Sequence, residues 1–333
     1  MVAISATILG LEGPILEAEE AMFFDIAQPW GFILFARNIE TPEQLRRLTS
    51  DLRGAVGRDA PILIDQEGGR VQRMRAPHWR EWMPPLEQMA RVGGEAGLRA
   101  MQLRYRIIAA ELRDAGIDVN CAPLADVARD VTHPVLRNRL YGEDPQTVAA
   151  VARAVADGLS CGGVVPVLKH LPGYGLGVVD SHEDLPRVAA PPEDLDAVDF
   201  AAFRPLADLP LGMTAHIVYE AIDPEAPATL SPAAIRLIRE EIGFTGLLMT
   251  DDLSMGALPG SIAERAGRAI AAGCDLILHC NGRRGEMEDV LGEAGTLDPD
   301  ALARGEAALG LRDRGQPLDI AAAEAEFERL LQG

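Results

Sequence analysis

Short apolar runs rich in Val, Ile and Leu recur along the chain, separated by longer stretches in which apolar positions return every three or four residues. Runs of the first kind suit parallel strands covered on both faces, and stretches of the second kind suit the helices that cross between them. Eight strands are predicted, at 5–9, 31–35, 61–65, 118–122, 164–169, 211–214, 246–250 and 275–279. Helix starts are predicted where a capping residue precedes proline: Thr41-Pro42 with Gln44 three residues after the cap, Asp144-Pro145, Ser231-Pro232 and Asp298-Pro299. The segments 299–311 and 320–331 read as further helices packed outside, and no linker or charge block divides the chain. The expectation is an α/β protein, a (β/α)8 TIM barrel with 1–333 as a single catalytic domain and C-terminal helices within 299–331 on its exterior. An open doubly wound sheet uses similar runs, but no dinucleotide fingerprint is present.

Composition narrows the partners. The 333 residues carry 31 Lys and Arg against 51 Asp and Glu, a formal charge of −20, which repels phosphate backbones and anionic bilayers. No nucleic-acid or membrane role is therefore expected. No lysine or arginine precedes Arg37 and no apolar run reaches spanning length, so the predicted location is the cytoplasm. Cys121, Cys161, Cys274 and Cys280 are widely spaced and read as small buried hydrophobes. The six histidines show no ligand spacing, so neither a metal nor a cofactor is expected.

The chemistry-bearing residues gather at the ends of predicted strands: Asp65, Lys169-His170, His216, Asp251-Asp252 and Cys280-Asn281. In a barrel of this kind that face carries the active site. Asp65 suits a pair of sugar hydroxyls, or else it caps a turn, and Arg73 beside it reads equally as a surface charge. After Lys169-His170 the chain runs Leu-Pro-Gly-Tyr-Gly-Leu-Gly, which reads as a mobile loop whose glycines serve flexibility. Asp180 and His182 stand two apart, so in an extended backbone the carboxylate can orient the imidazole for proton transfer; an idle exposed pair is the plainer alternative. Asp251 and Asp252 face opposite ways at a strand end, and Asp251 is the predicted nucleophile, with Asp252 supporting it or capping a helix. Asp65 is its rival on chemistry alone.

Together IDQEGGRVQR, RNRLYGEDP, KHLPGYG followed by DSH, MTAHIVY, TDDLSM and AGCDLILHCN resemble, in order, the NagZ-type β-N-acetylglucosaminidases of glycoside hydrolase family three. The likeness runs from about Gly31 to Asn281. It implies a barrel that removes terminal N-acetylglucosamine from β-linked glycosides with retention, in many bacteria from anhydro-muropeptides of recycled cell wall. It further implies Asp251 as nucleophile, His182 with Asp180 as acid/base dyad, and Asp65, Arg73, Arg139, Lys169 and His170 as residues that hold the sugar. Tyr174 departs from the family's usual histidine in PGHG. The implied partner is a small carbohydrate or muropeptide, with a monomer expected. A phosphorylase using the same site and a non-catalytic muropeptide-binding barrel stand as alternatives.

Overall fold

A computed structural model of the chain describes residues 3–179 and 184–332. Its centre is a ring of parallel strands: β1 Ser5–Leu9, β2 Pro29–Leu34, β3 Ile62–Ile64, β4 Val119–Asn120, β5 Val165–Leu171, β6 Leu211–Thr214, β7 Leu247–Met249 and β8 Ile277–His279. From β1 to β7 each strand pairs with the next in chain order, and β8 returns to β1 with Leu9 opposite His279. The seam between β7 and β8 is a parallel bridge from Met249 to Leu276, extended by the Thr250 N–H donating to the Leu276 carbonyl. This is the predicted (β/α)8 architecture.

Side chains alternate across each strand. Ile33 and Leu63 point into the barrel, where they meet Val119, Val165, Leu211 and Leu278, while Phe32, Leu34, Ile62 and Ile64 face the helices. All four predicted caps are made: Thr41 accepts from the Gln44 N–H, Asp144 from Thr147, Ser231 from Ala234 and Asp298 from Ala301. Each satisfies an N–H that the first helical turn would leave unpaired.

Several details differ from the pattern. β4 is shorter than predicted, although the Asp118 backbone still bonds Ile62 and Val165 on either side, and its carboxylate adds the Ile62 N–H at 2.7 Å and the guanidinium groups of Arg53 and Arg312. β5 runs on to Leu171, so His170, read as lying just past the strand, is inside it with Lys169. The helix Pro299–Leu309 is not on the outer ring; Ala301 and Ala308 join Trp30 in the inner apolar cluster, and Gly305 lies against the Trp30 indole. With Arg304 bonded to Asp275 just before β8, this helix covers the N-terminal end of the barrel and leaves the opposite mouth open. The last helix, Ile320–Gln332, does pack outside, through the Arg99–Glu326 pair at 2.8 Å and Phe327 edge-on to Trp82. Cys161 also departs from its reading, ending the helix Pro145–Cys161 half-buried, whereas the other three cysteines are buried.

Candidate active site

The cavity at the C-terminal mouth has a volume of about 200 Å³, and its walls include Phe35, Asp65, Arg73, Arg139, Lys169, His170, Tyr174 and Asp251. Six of the predicted site residues therefore converge from four separate stretches of chain. Asp180 and His182 lie outside the described residues.

On the cavity floor, cations and carboxylates alternate. Lys169 at the end of β5 reaches across the barrel to Asp65 after β3, with its Nζ 3.0 Å from Oδ1, and lies 2.6 Å from Oε1 of Glu67. Arg73 takes the other Asp65 oxygen at 3.0 Å, and its guanidinium stands over the Phe35 ring. Arg139 grips Glu67 with two hydrogen bonds, 2.9 Å from Nε and 2.7 Å from Nη2. Burial alone would raise both acids, yet the adjacent cations win: Lys169 and Arg73 hold Asp65 far below the carboxylate range, and Arg139 with Lys169 holds Glu67 down at about 2. Burial would likewise discharge Lys169, and the two carboxylates instead keep it above the usual lysine range. Asp65 is thus neither a turn cap nor an idle acid, and Arg73 is not a bare surface charge.

Asp251 follows β7, half-buried at the cavity wall. Burial disfavours its charge, but the His216 and His170 imidazoles, the Asp252 N–H bonded to its Oδ1 at 2.8 Å, and Lys169 hold its carboxyl below the ordinary value. Asp252 faces away. Its oxygens take the Ser254 N–H, the Ser254 hydroxyl and the Cys280 N–H, and it caps no helix, since the next one begins at its own cap, Ser261. His216 donates from Nε2 to the Asp252 carbonyl at 3.0 Å, and its Nδ1 lies 2.7 Å from the Thr229 hydroxyl. Burial pushes this histidine toward its neutral form, against the pull of Asp251 and Asp252. His170 meets the buried Asp126 at 2.7 Å through Nδ1, and because a carboxylate accepts, Nε2 is the ring atom left for the cavity.

The glycine-rich segment after β5 corrects the flexible-loop reading over its described part. Tyr219 donates its hydroxyl to the Gly173 carbonyl at 2.7 Å, Thr132 donates to Gly175, and the His133 N–H donates to Gly177. Gly173 has a φ of +141°, and a Cβ on Gly175 would sit 2.0 Å from the Val127 carbonyl oxygen. These glycines admit close backbone approach rather than supplying freedom. Tyr174 is buried beside them, its ring centre 5.9 Å from that of His170 and its hydroxyl 3.3 Å from the Val179 carbonyl.

Sequence reasoning missed Glu67, Asp126 and Thr229, whose partners lie 72, 44 and 13 residues away. One signal was available: Lys169 is the only lysine in the sequence, every other basic residue among the 31 being arginine.

A parallel barrel with carboxylates and cations gathered at its C-terminal mouth suits an enzyme that binds a small polar substrate there, and a carboxylate whose charge is favoured can serve sugar chemistry. Residues 17–302 match the Glycosyl hydrolase family 3 N terminal domain, and the chain belongs to that family. A beta-hexosaminidase of Methylococcus capsulatus is 40% identical over 276 residues, 81% of each chain. One from Alkalilimnicola ehrlichii is 39% identical over 282 residues, 82% of this chain and 80% of the relative. NagZ from Neisseria gonorrhoeae, solved in complex with N-trifluoroacetyl-D-glucosamine, superposes with a TM-score of 0.87 at 30% identity, covering 99% of both chains.

Proposed function

We propose that the protein is a retaining exo-β-N-acetylglucosaminidase built as one catalytic unit. The observation that carries this reading is the placement of Asp251, with its charge favoured, in the same small cavity as Asp65, Arg73, Arg139, Lys169 and His170. A cavity of about 200 Å³ suits one terminal sugar. The hexosaminidase relatives, and the sugar-bound NagZ in particular, support N-acetylglucosamine as that sugar.

In this reading Oδ1 of Asp251 is occupied by the Asp252 N–H, and Oδ2 attacks the anomeric carbon to form a glycosyl ester. His182, oriented by Asp180, gives its proton to the departing oxygen and then takes one from the water that releases the sugar. Asp65, Arg73, Arg139, Lys169 and His170 hold hydroxyls and the acetamido group. The natural substrate is a muropeptide fragment of recycled cell wall, handled in the cytoplasm. The four free thiols accord with a reducing compartment.

The test is hydrolysis of an aryl N-acetyl-β-glucosaminide with and without added phosphate. The proposal requires free N-acetylglucosamine at a phosphate-independent rate, released first as the β-anomer. A sugar 1-phosphate product points to a phosphorylase, and binding without turnover points to a silent barrel. In His182→Ala, an activated leaving group should restore part of the lost rate, since it departs without needing the acid.

A further inference from the structure

Glu67 is the one member of the floor network that does not line the cavity, and its carboxylate is fully buried. It is nonetheless aimed. Its own carbonyl accepts from Arg104 at 2.6 Å and from the Tyr105 hydroxyl at 3.1 Å, and its N–H donates to the Val71 carbonyl at 2.9 Å. Arg104 is fixed in turn by Gln88 at 2.8 Å, and reaches Glu67 only because residue 68 is glycine: a Cβ there would lie 1.8 Å from Nη2 of Arg104. A buried arginine whose hydrogen bonds serve a neighbour's backbone is a support for that neighbour.

We infer that Glu67 is the positioning residue of the site, holding Arg139 and Lys169 so that each keeps a hydrogen for the terminal sugar; the inference rests on the glycosidase reading. Glu67 accepts from Nε and Nη2 of Arg139, which leaves Nη1 as the end of the guanidinium not taken by that carboxylate. Lys169 donates one hydrogen to Asp65 and forms an ion pair with Glu67 at 2.6 Å, so its three hydrogens are not all taken by the two acids. This division also accounts for the solitary lysine. Both Glu67 oxygens are already committed to one planar guanidinium, and a second arginine at 169 would need a carboxylate edge that is occupied, whereas a compact ammonium fits between two acids. The sequence uses arginine at every other basic position and lysine here alone.

The solitary lysine supplies the test. Lysine labelled with 13C at Cε gives a single resonance, that of Lys169, and it is read in wild type, Glu67→Gln and Glu67→Asp together with aryl N-acetyl-β-glucosaminide kinetics. Glutamine offers one acceptor and one donor group where two Arg139 N–H groups and the Lys169 ammonium converge, so one cation must turn away. In Glu67→Gln the Lys169 resonance should move, and it should begin to titrate at lower pH than in wild type. KM should rise by about 10- to 100-fold, the loss of one charge-assisted hydrogen bond, with a smaller change in kcat. Glu67→Asp, which keeps the charge, should recover part of the KM. An unchanged resonance and a KM within about twofold of wild type overturn the inference. If Glu67→Gln does not fold, the wild type alone decides: a Lys169 signal titrating at the ordinary value near 10.4 also overturns it. Absence of wild-type turnover would count against the glycosidase reading, while the resonance still reports on Glu67.

Discussion

Glu67 and Glu111 are both glutamates shielded from water, and burial leaves them in opposite states. Cations surround Glu67, so its folded value of about 2 lies below the model-peptide range. The stability it contributes is complete above about pH 4.5 and is lost as the pH falls toward 2. Glu111, on the helix Gly94–Asp114, has among the described residues only the Arg80 N–H at 3.4 Å on one oxygen and no partner for the other. Burial raises it to about 7. Between pH 4.5 and 7 the unfolded chain releases this proton more readily than the folded one, so stability falls as the pH rises through that window. Replacing the acid by its amide, Glu111→Gln, should raise unfolding free energy at pH 8 by on the order of 1–2 kcal/mol and change little at pH 4. Denaturant melts at the two pH values check this, and an equal gain at both contradicts the assignment.

At the scale of elements, the segment after β5 is held by contacts that need glycine. Gly175→Ala puts a Cβ 2.0 Å from the Val127 carbonyl, so the backbone must shift away from Thr132 and Tyr219. The expected cost is about 1–3 kcal/mol in stability. A fall in kcat/KM of about tenfold or more should accompany it, since His170 and Tyr174 share that backbone. A variant with wild-type kinetics and melting would show that the fit is not needed. Helix starts were legible because a cap is a local rule: Thr41, Asp144, Ser231 and Asp298 bond N–H groups three residues ahead. The glycines were misread because composition does not reveal which backbone stands against them. Glu67 stood in plain view two residues after Asp65, but nothing local distinguishes it from a solvated acid until Arg139 and Lys169 arrive from far along the chain.

At the scale of the whole molecule, eight apolar runs made the barrel legible, because strands covered on both faces must be apolar throughout. The cover over its N-terminal end was not, since the alanine-rich face of Pro299–Leu309 reads alike on the outer ring or against Trp30. Trp30→Ala should open a cavity at that end and cost about 3–5 kcal/mol. KM should stay at the wild-type value, because the substrate cavity lies at the other mouth; a raised KM in a folded variant would mean that the two ends are coupled. The central claim is that Asp251 attacks the sugar, and its most direct test is turnover of an aryl N-acetyl-β-glucosaminide by wild type and a folded Asp251→Ala variant. The account predicts retention in the wild type and a loss of on the order of 10³-fold or more in kcat for the variant; an Asp251→Ala enzyme with full activity would contradict it and turn attention to Asp65.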